Sequence, residues 1–118
     1  LKPLFRYLQV NLKNIPPNRA QIPMVAFNYA RELEIVKRYD DAIEIAEYAR
    51  KICIDYGVYT SLSGILMILA ECYYHLEDFE KSIELYRQSY YLFKIIEDDR
   101  NLIIIKTEAK EFLDLELD

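Results

Sequence analysis

The sequence predicts an all-α fold, a stack of about six helices paired into antiparallel hairpins. One stretch occurs twice, because residues 38–49 align with residues 78–89, 40 positions further on. Each copy has an aromatic residue at its second position and a small residue three positions after that, continues with Ile-Glu and ends with a second small residue. Repeats of this length are typical of helical units that bury their apolar faces against their neighbours. Only two glycines, and no Asn-Gly or Asp-Gly pair, disfavour a fold of β-hairpins.

The first predicted helix covers residues 2–14, where three leucines four positions apart form one apolar stripe. Pro16 and Pro17 end it, since proline lacks the N–H that a helix interior requires. The chain begins at Leu1 inside this pattern. We therefore expect a piece of a longer protein, in which residues 1–15 finish a preceding unit.

Two helical hairpins and a capping helix are predicted to follow. The hairpins occupy residues 22–57 and 60–97, and the capping helix occupies residues 100–117, so that residues 1–118 form a single domain. Gly57 is expected to adopt a left-handed conformation just past a helix end. Hydroxyl groups near residues 60–63 are expected to cap the next helix. The predicted packing faces are small and apolar: Ala26, Tyr29, Ala30 and Leu33, then Ala42, Ile45, Ala46 and Ala49, then Leu66, Leu69, Ala70 and Tyr73, then Ile105, Ala109, Phe112 and Leu113.

Composition and charge exclude several classes of function. Apolar residues make up 53% of the chain and charged residues 30%, as in ordinary globular domains. A net charge of −5 disfavours direct binding to nucleic acid or to an anionic membrane, because such partners need a basic face. No apolar run reaches the length of a membrane span, and no secretory signal is visible. Cys53 and Cys72 have no metal-ligand spacing and are expected to be reduced and buried in a cytoplasmic protein.

Catalysis is not indicated. His75 is the only histidine, and no second histidine or cysteine lies near it to complete a metal site. Glu44, Glu47 and Glu84 are spaced as solvated carboxylates of helix faces and not as an acid–base pair. The sequence contains no glycine loop for phosphate. We predict that the domain is not an enzyme and needs neither cofactor nor metal.

The repeated residues resemble the tetratricopeptide repeat, a helix–turn–helix unit of about 34 residues. In this family small residues let two helices approach and aromatic residues fill the groove between them. The resemblance implies a right-handed superhelix. Three departures stand out: alanine or leucine replaces the family's tryptophan, its glycine is alanine, and its closing proline is absent. Matching positions are Tyr29, Ala30, Leu33, Tyr39, Ala42, Ala46 and Ala49 in the first unit, and Leu69, Ala70, Tyr73, Phe79, Ser82, Tyr86 and Ser89 in the second.

Long, tyrosine-rich and glycine-poor units of this kind are similar to the C-terminal regulatory half of Gram-positive helix-turn-helix regulators of the XRE type. Those proteins carry a DNA-binding domain before the repeats, and a subset binds signalling peptides in the concave groove. The resemblance implies a regulatory, peptide-binding and dimerising domain whose DNA-binding part is absent from this chain. A constitutive protein–protein adaptor stays the alternative, and a regulatory domain attached to an enzyme is a third.

Register with the family places candidate ligand contacts on the first helix of each hairpin. Asn28 would bind the backbone amides of an extended peptide, and Arg31 would pair with a carboxylate. The alternative is that these positions only form the polar inner wall of a helix bundle and bind no ligand. An oligomer surface at Tyr90 or Tyr91, and with it a homodimer, also stays open. The predicted groove residues are Met24, Phe27, Asn28, Arg31 and Glu34 from the first unit and Met67, Glu71, Tyr74 and His75 from the second.

Overall fold

The computed structural model describes residues 22–118, and within that range the chain is all-α with no strand. The all-α class that the sequence predicts is confirmed for these residues. The helix expected over residues 2–14 lies outside them. No helix of the described part is both long and apolar enough to cross a membrane. The helices are α1 (Ile22–Ile35), α2 (Tyr39–Tyr56), α3 (Tyr59–His75), α4 (Phe79–Ile95) and α5 (Asp99–Leu113).

The four connections between these helices repeat one backbone geometry. A single left-handed residue stands in each, at Lys37, Gly57, Glu77 and Glu97, and these positions are 20 residues apart. In the third connection the N–H of Glu77 donates to Tyr74 O at 3.0 Å and the N–H of Asp78 donates to Tyr73 O at 2.9 Å. This pairing satisfies the last carbonyls of the helix. The predicted left-handed Gly57 is confirmed, with φ of 67°.

The helices begin at positions that follow the period of these turns, whereas only some of the helix starts have a capping side chain. Asp78 and Asp98 each accept a hydrogen bond from the backbone N–H three residues later. The predicted hydroxyl caps of α3 are wrong, since α3 begins after Val58 with no side-chain cap. The hydroxyl of Ser63 donates instead to the carbonyl of Thr60 at 2.9 Å. The left-handed turn alone therefore fixes the start of α3.

The centre of the molecule is α3, which packs against α1, α2 and α4. Every residue from 65 to 72 is buried, so the central part of this helix has no solvent-facing side. Its neighbours accommodate it with small side chains, which let helix axes approach closely. The fully buried small residues of the neighbouring helices are Ala30 of α1, Ala42, Ala46 and Ala49 of α2, and Ser82 and Ser89 of α4.

Two of these small residues also form hydrogen bonds between helices. The hydroxyl of Ser82 donates to Ala70 O at 2.7 Å, and the hydroxyl of Ser89 donates to Ser63 O at 2.7 Å. Both bonds are buried and join α4 to the backbone of α3. The small positions of the second repeat therefore allow close approach and also fix the position of α4 along α3.

The C-terminal residues after α5 are partly buried. Asp114 is left-handed, with φ of 51°, and the chain then continues without regular structure. Its acidic residues Asp114, Glu116 and Asp118 are exposed. The leucines between them are buried, however, at 9% exposure for Leu115 and 3% for Leu117. The tail thus adds to the core through every second residue.

Gly57→Ala tests the requirement for a left-handed turn. A Cβ at this φ costs about 1–2 kcal/mol, so we expect the free energy of unfolding to fall by about that amount. Urea denaturation measures the change. Asp55→Ala, at an exposed helical position two residues earlier, serves as the control and is expected to stay within about 0.5 kcal/mol of the parent. Equal effects of the two substitutions would contradict the requirement.

Candidate functional site

A cleft of about 230 Å³ opens between α1, α3 and α5. Its wall combines aromatic and thioether side chains with hydroxyl and amide groups, and two charged residues lie at its edge. This mixture suits a ligand with apolar side chains and a polar backbone. The cleft is lined by Phe27, Phe93 and Met67, by Thr60, Ser61, Gly64 and Asn101, and by Arg31 and Asp98.

Gly64 brings α1 and α3 close together at the cleft. A Cβ added to this glycine would lie only 2.9 Å from Cε2 of Phe27, a distance that requires the ring to move. The missing side chain therefore makes room for Phe27 against α3. The guanidinium of Arg31 lies 5.6 Å from the centre of the same ring, within the range of a cation–π contact.

Next to the cleft, charged side chains from α1, α3 and α5 meet. Nη1 of Arg31 donates to Oε1 of Glu34 at 2.7 Å and to Oε1 of Glu71 at 2.6 Å. Glu34 and Glu108 also lie within hydrogen-bonding reach of Glu71. Oε2 of Glu108 accepts a hydrogen bond of 2.8 Å from the hydroxyl of Tyr86. We call Arg31, Glu34, Glu71 and Glu108 the Glu–Arg cluster. It contains three carboxyl groups and one guanidinium.

Burial dominates the ionisation of the cluster. It raises the pKa of Glu71 to about 7, with Glu34 adding to the effect, and raises the pKa of Glu108 to about 8, with Glu71 adding to it. Burial likewise raises the pKa of Glu34. For Arg31, burial alone would lower the pKa, but the carboxylates of Glu71 and Glu34 raise it on balance. The guanidinium thus stays charged while its carboxyl neighbours hold protons more tightly than usual.

Part of the predicted site lies at the cleft. Phe27, Arg31 and Met67 line it, although Met67 is only 6% exposed. Met24 and Asn28 are exposed on α1 but are not part of the lining. Two expectations need correction. The central position of α3 buries Glu71, and Arg31, expected to pair with a ligand carboxylate, is already paired with Glu34 and Glu71.

Tyr74 and His75 lie at the other end of α3, in a separate aromatic group. Tyr74 stacks on Phe112 with ring centres 4.5 Å apart, and His75 stacks on Tyr39 at 4.7 Å. Phe79 completes the group at 5.8 Å from Tyr74. Tyr74 and His75, which the sequence predicted as groove residues, therefore lie apart from the cleft.

Several residues of the site were not predicted. Asn101 and Glu108 belong to α5, which the sequence indicated only as a cap, and Phe93 comes from α4. For Asn101 and Glu108, spacing was the signal that would have found them. Phe27, Gly64 and Asn101 are 37 residues apart in turn, and so are Glu34, Glu71 and Glu108.

The two cysteines are buried and free, as predicted. Burial raises the pKa of Cys53 to about 11 and that of Cys72 to about 12, so both thiols stay protonated and unreactive at neutral pH. Among residues 22–118 no group of three or more His, Cys, Asp or Glu side chains has a geometry that would hold a metal ion.

Comparisons with protein-family models, with curated proteins and with solved structures find no match to this chain.

Arg31→Met tests the role of the single cation. Its loss leaves three carboxyl groups without a counter-charge, and we expect a destabilisation of about 2 kcal/mol at pH 8, between the values for exposed and buried pairs. The cost should shrink towards acid pH, where the carboxyl groups are neutral in both folded and unfolded chains. Urea denaturation at several pH values measures it.

Arg38→Met is the matched control, because Arg38 forms an exposed pair with Asp41 at 2.7 Å. We expect a change of at most about 1 kcal/mol there. An Arg31→Met cost that equals the control, or that grows towards acid pH, contradicts the assigned role.

Proposed function

We propose that this chain is the peptide-binding regulatory and dimerisation domain of a cytoplasmic transcription regulator, with a tetratricopeptide-like superhelix and with the DNA-binding domain in another part of the protein. The observation that carries the proposal is the cleft between α1, α3 and α5. In a stack of hairpins, the first helices of successive hairpins form one wall, and α1, α3 and α5 are those helices.

The chemistry of the cleft supports a peptide. Phe27, Met67 and Phe93 offer apolar and adaptable contacts for a side chain. The hydroxyls of Thr60 and Ser61 and the amide of Asn101 offer donors and acceptors for a peptide backbone. The volume of about 230 Å³ fits one or two side chains, so most of a longer peptide would extend along the exposed face of α1.

A ligand in this cleft would touch three helices at once. It shifts the arrangement of α1, α3 and α5 only as far as its affinity differs between two arrangements. Helices that move relative to one another would in turn change an interface between protomers and the spacing of DNA-binding domains. Tyr91 is exposed and Tyr90 is buried, so Tyr91 is the better candidate for such an interface.

Gly64→Ala tests peptide binding in the cleft. The new methyl group displaces the ring of Phe27 and fills part of the cleft, and we expect binding to weaken at least about tenfold. Stability should change little, because the gain of about 1 kcal/mol in helix propensity offsets the crowding. The probe is a library of N-acetylated decapeptides, with affinities of the selected peptides measured by fluorescence anisotropy.

Two further variants complete this experiment. Asn28→Ala should weaken binding if the peptide extends along α1, whereas Glu44→Ala, at an exposed position of α2, should leave it unchanged. A library without binders contradicts the proposal. Binding that Gly64→Ala does not weaken places the peptide elsewhere.

A second measurement addresses regulation. The coding sequence upstream of Leu1 is determined, and the complete protein is tested for DNA binding with and without a selected peptide. A helix-turn-helix segment and a peptide-dependent change of DNA affinity support the proposal. Peptide binding without any effect on DNA would favour the constitutive adaptor.

A further inference from the structure

The Glu–Arg cluster contains more carboxyl groups than its single cation neutralises. Arg31 pairs with Glu34 and Glu71, and Glu108 lies on the far side of Glu71. If all three carboxyl groups were ionised, the cluster would carry a net charge of −2. The side chain of Glu71 is 7% exposed and that of Glu34 is 11% exposed, so water screens such a charge poorly.

Hydrogen bonding within the cluster requires a proton. An ionised carboxyl group only accepts hydrogen bonds, so Glu71 and Glu108 can bond to each other only when one of them is protonated. Burial favours that protonated state, with the pKa raised to about 7 for Glu71 and to about 8 for Glu108. The groups that face the pair are Arg31 and Glu34 of α1, Cys72 of α3 and Tyr86 of α4.

The position of the cluster connects this proton to the shape of the cleft. Glu34, Glu71 and Glu108 stand on α1, α3 and α5, the three helices between which the cleft opens. Removing the shared proton turns the Glu71–Glu108 hydrogen bond into contact between two negative charges. Such contacts are repulsive, and they push α5 away from α3.

We propose that the Glu–Arg cluster is a proton-dependent latch: its shared proton holds α1, α3 and α5 together at neutral and acid pH, and its loss at alkaline pH opens the cleft. This property goes beyond peptide binding. Its test needs no ligand, so the result for the latch does not depend on whether the cleft binds a peptide.

The pH dependence of the latch has a definite sign. In the folded chain Glu71 and Glu108 keep their protons up to about pH 7 to 8, whereas glutamates of the unfolded chain lose theirs near about pH 4.3. The folded state therefore binds more protons between these values, and its stability falls as pH rises through them. A carboxylate stabilised by a salt bridge has the opposite dependence.

Carboxyl NMR of the 118-residue chain labelled with ¹³C at the glutamate side chains detects the protons directly. A titration from about pH 4 to pH 10 should show two glutamates, Glu71 and Glu108, with midpoints above about pH 6. Amide hydrogen exchange measures the opening of the latch. After correction for the intrinsic rate, amides of α1 and α5 should exchange on the order of tenfold faster at pH 9 than at pH 6, since one unit of pKa shift equals tenfold in an equilibrium constant.

The Glu108→Gln substitution tests whether the shared proton is needed to keep the latch closed. An amide donates permanently to Glu71, so this variant should stay closed, and the alkaline rise in exchange should disappear. Glu111→Gln, exposed on the same helix, should behave as the parent. Glu71→Gln is the second variant, in case Glu108→Gln does not fold. The proposal is overturned if every glutamate of the parent titrates near about pH 4.3, or if the Gln variants keep the alkaline rise.

Discussion

The burial of α3 on all sides is the constraint on which the other features depend. A helix enclosed by its neighbours needs partners that come close, and alanine and serine on α1, α2 and α4 provide that closeness. Closely packed helices tolerate little displacement along their axes. The serine hydroxyls that bond to carbonyls of α3 prevent such a displacement of α4, since it would leave Ser82 and Ser89 buried without acceptors.

The same enclosure explains why a glutamate is buried in so small a domain. Glu71 faces the side of α3 that lies between α1 and α5, so its carboxyl group meets Arg31 on one side and Glu108 on the other. Buried ionic groups add little net stability, but in some proteins they select one packing among several alternatives. A shift of α5 by one turn would separate Glu108 from both Glu71 and Tyr86. The polar cluster thus selects one arrangement of helices that apolar contacts alone leave less sharply defined.

Residue pattern predicted the fold better than it predicted the site. All eight residues of the predicted packing faces on α1 and α2 are buried, because helical periodicity directly reports which side faces a neighbour. Arg31 and Glu71 were expected to face a ligand, and they face each other instead. Contact between helices depends on their tilt and relative shift, which periodicity within one helix does not contain. Glu108 was missed for the same reason, since its role arises only from the meeting of α5 with α3.

The equal spacing of the left-handed turns has a consequence for the evolution of this architecture. Because Lys37, Gly57, Glu77 and Glu97 are 20 residues apart, each helix with its connection has a fixed length. One inserted residue within α3 would rotate all following side chains by about 100° around the helix axis. Substitutions at the surface, and even at Lys37 or Glu77, do not disturb that length. Distant relatives would therefore preserve the lengths of these segments while their side chains diverge. Such relatives are easier to detect by the spacing of their turns than by residue identity.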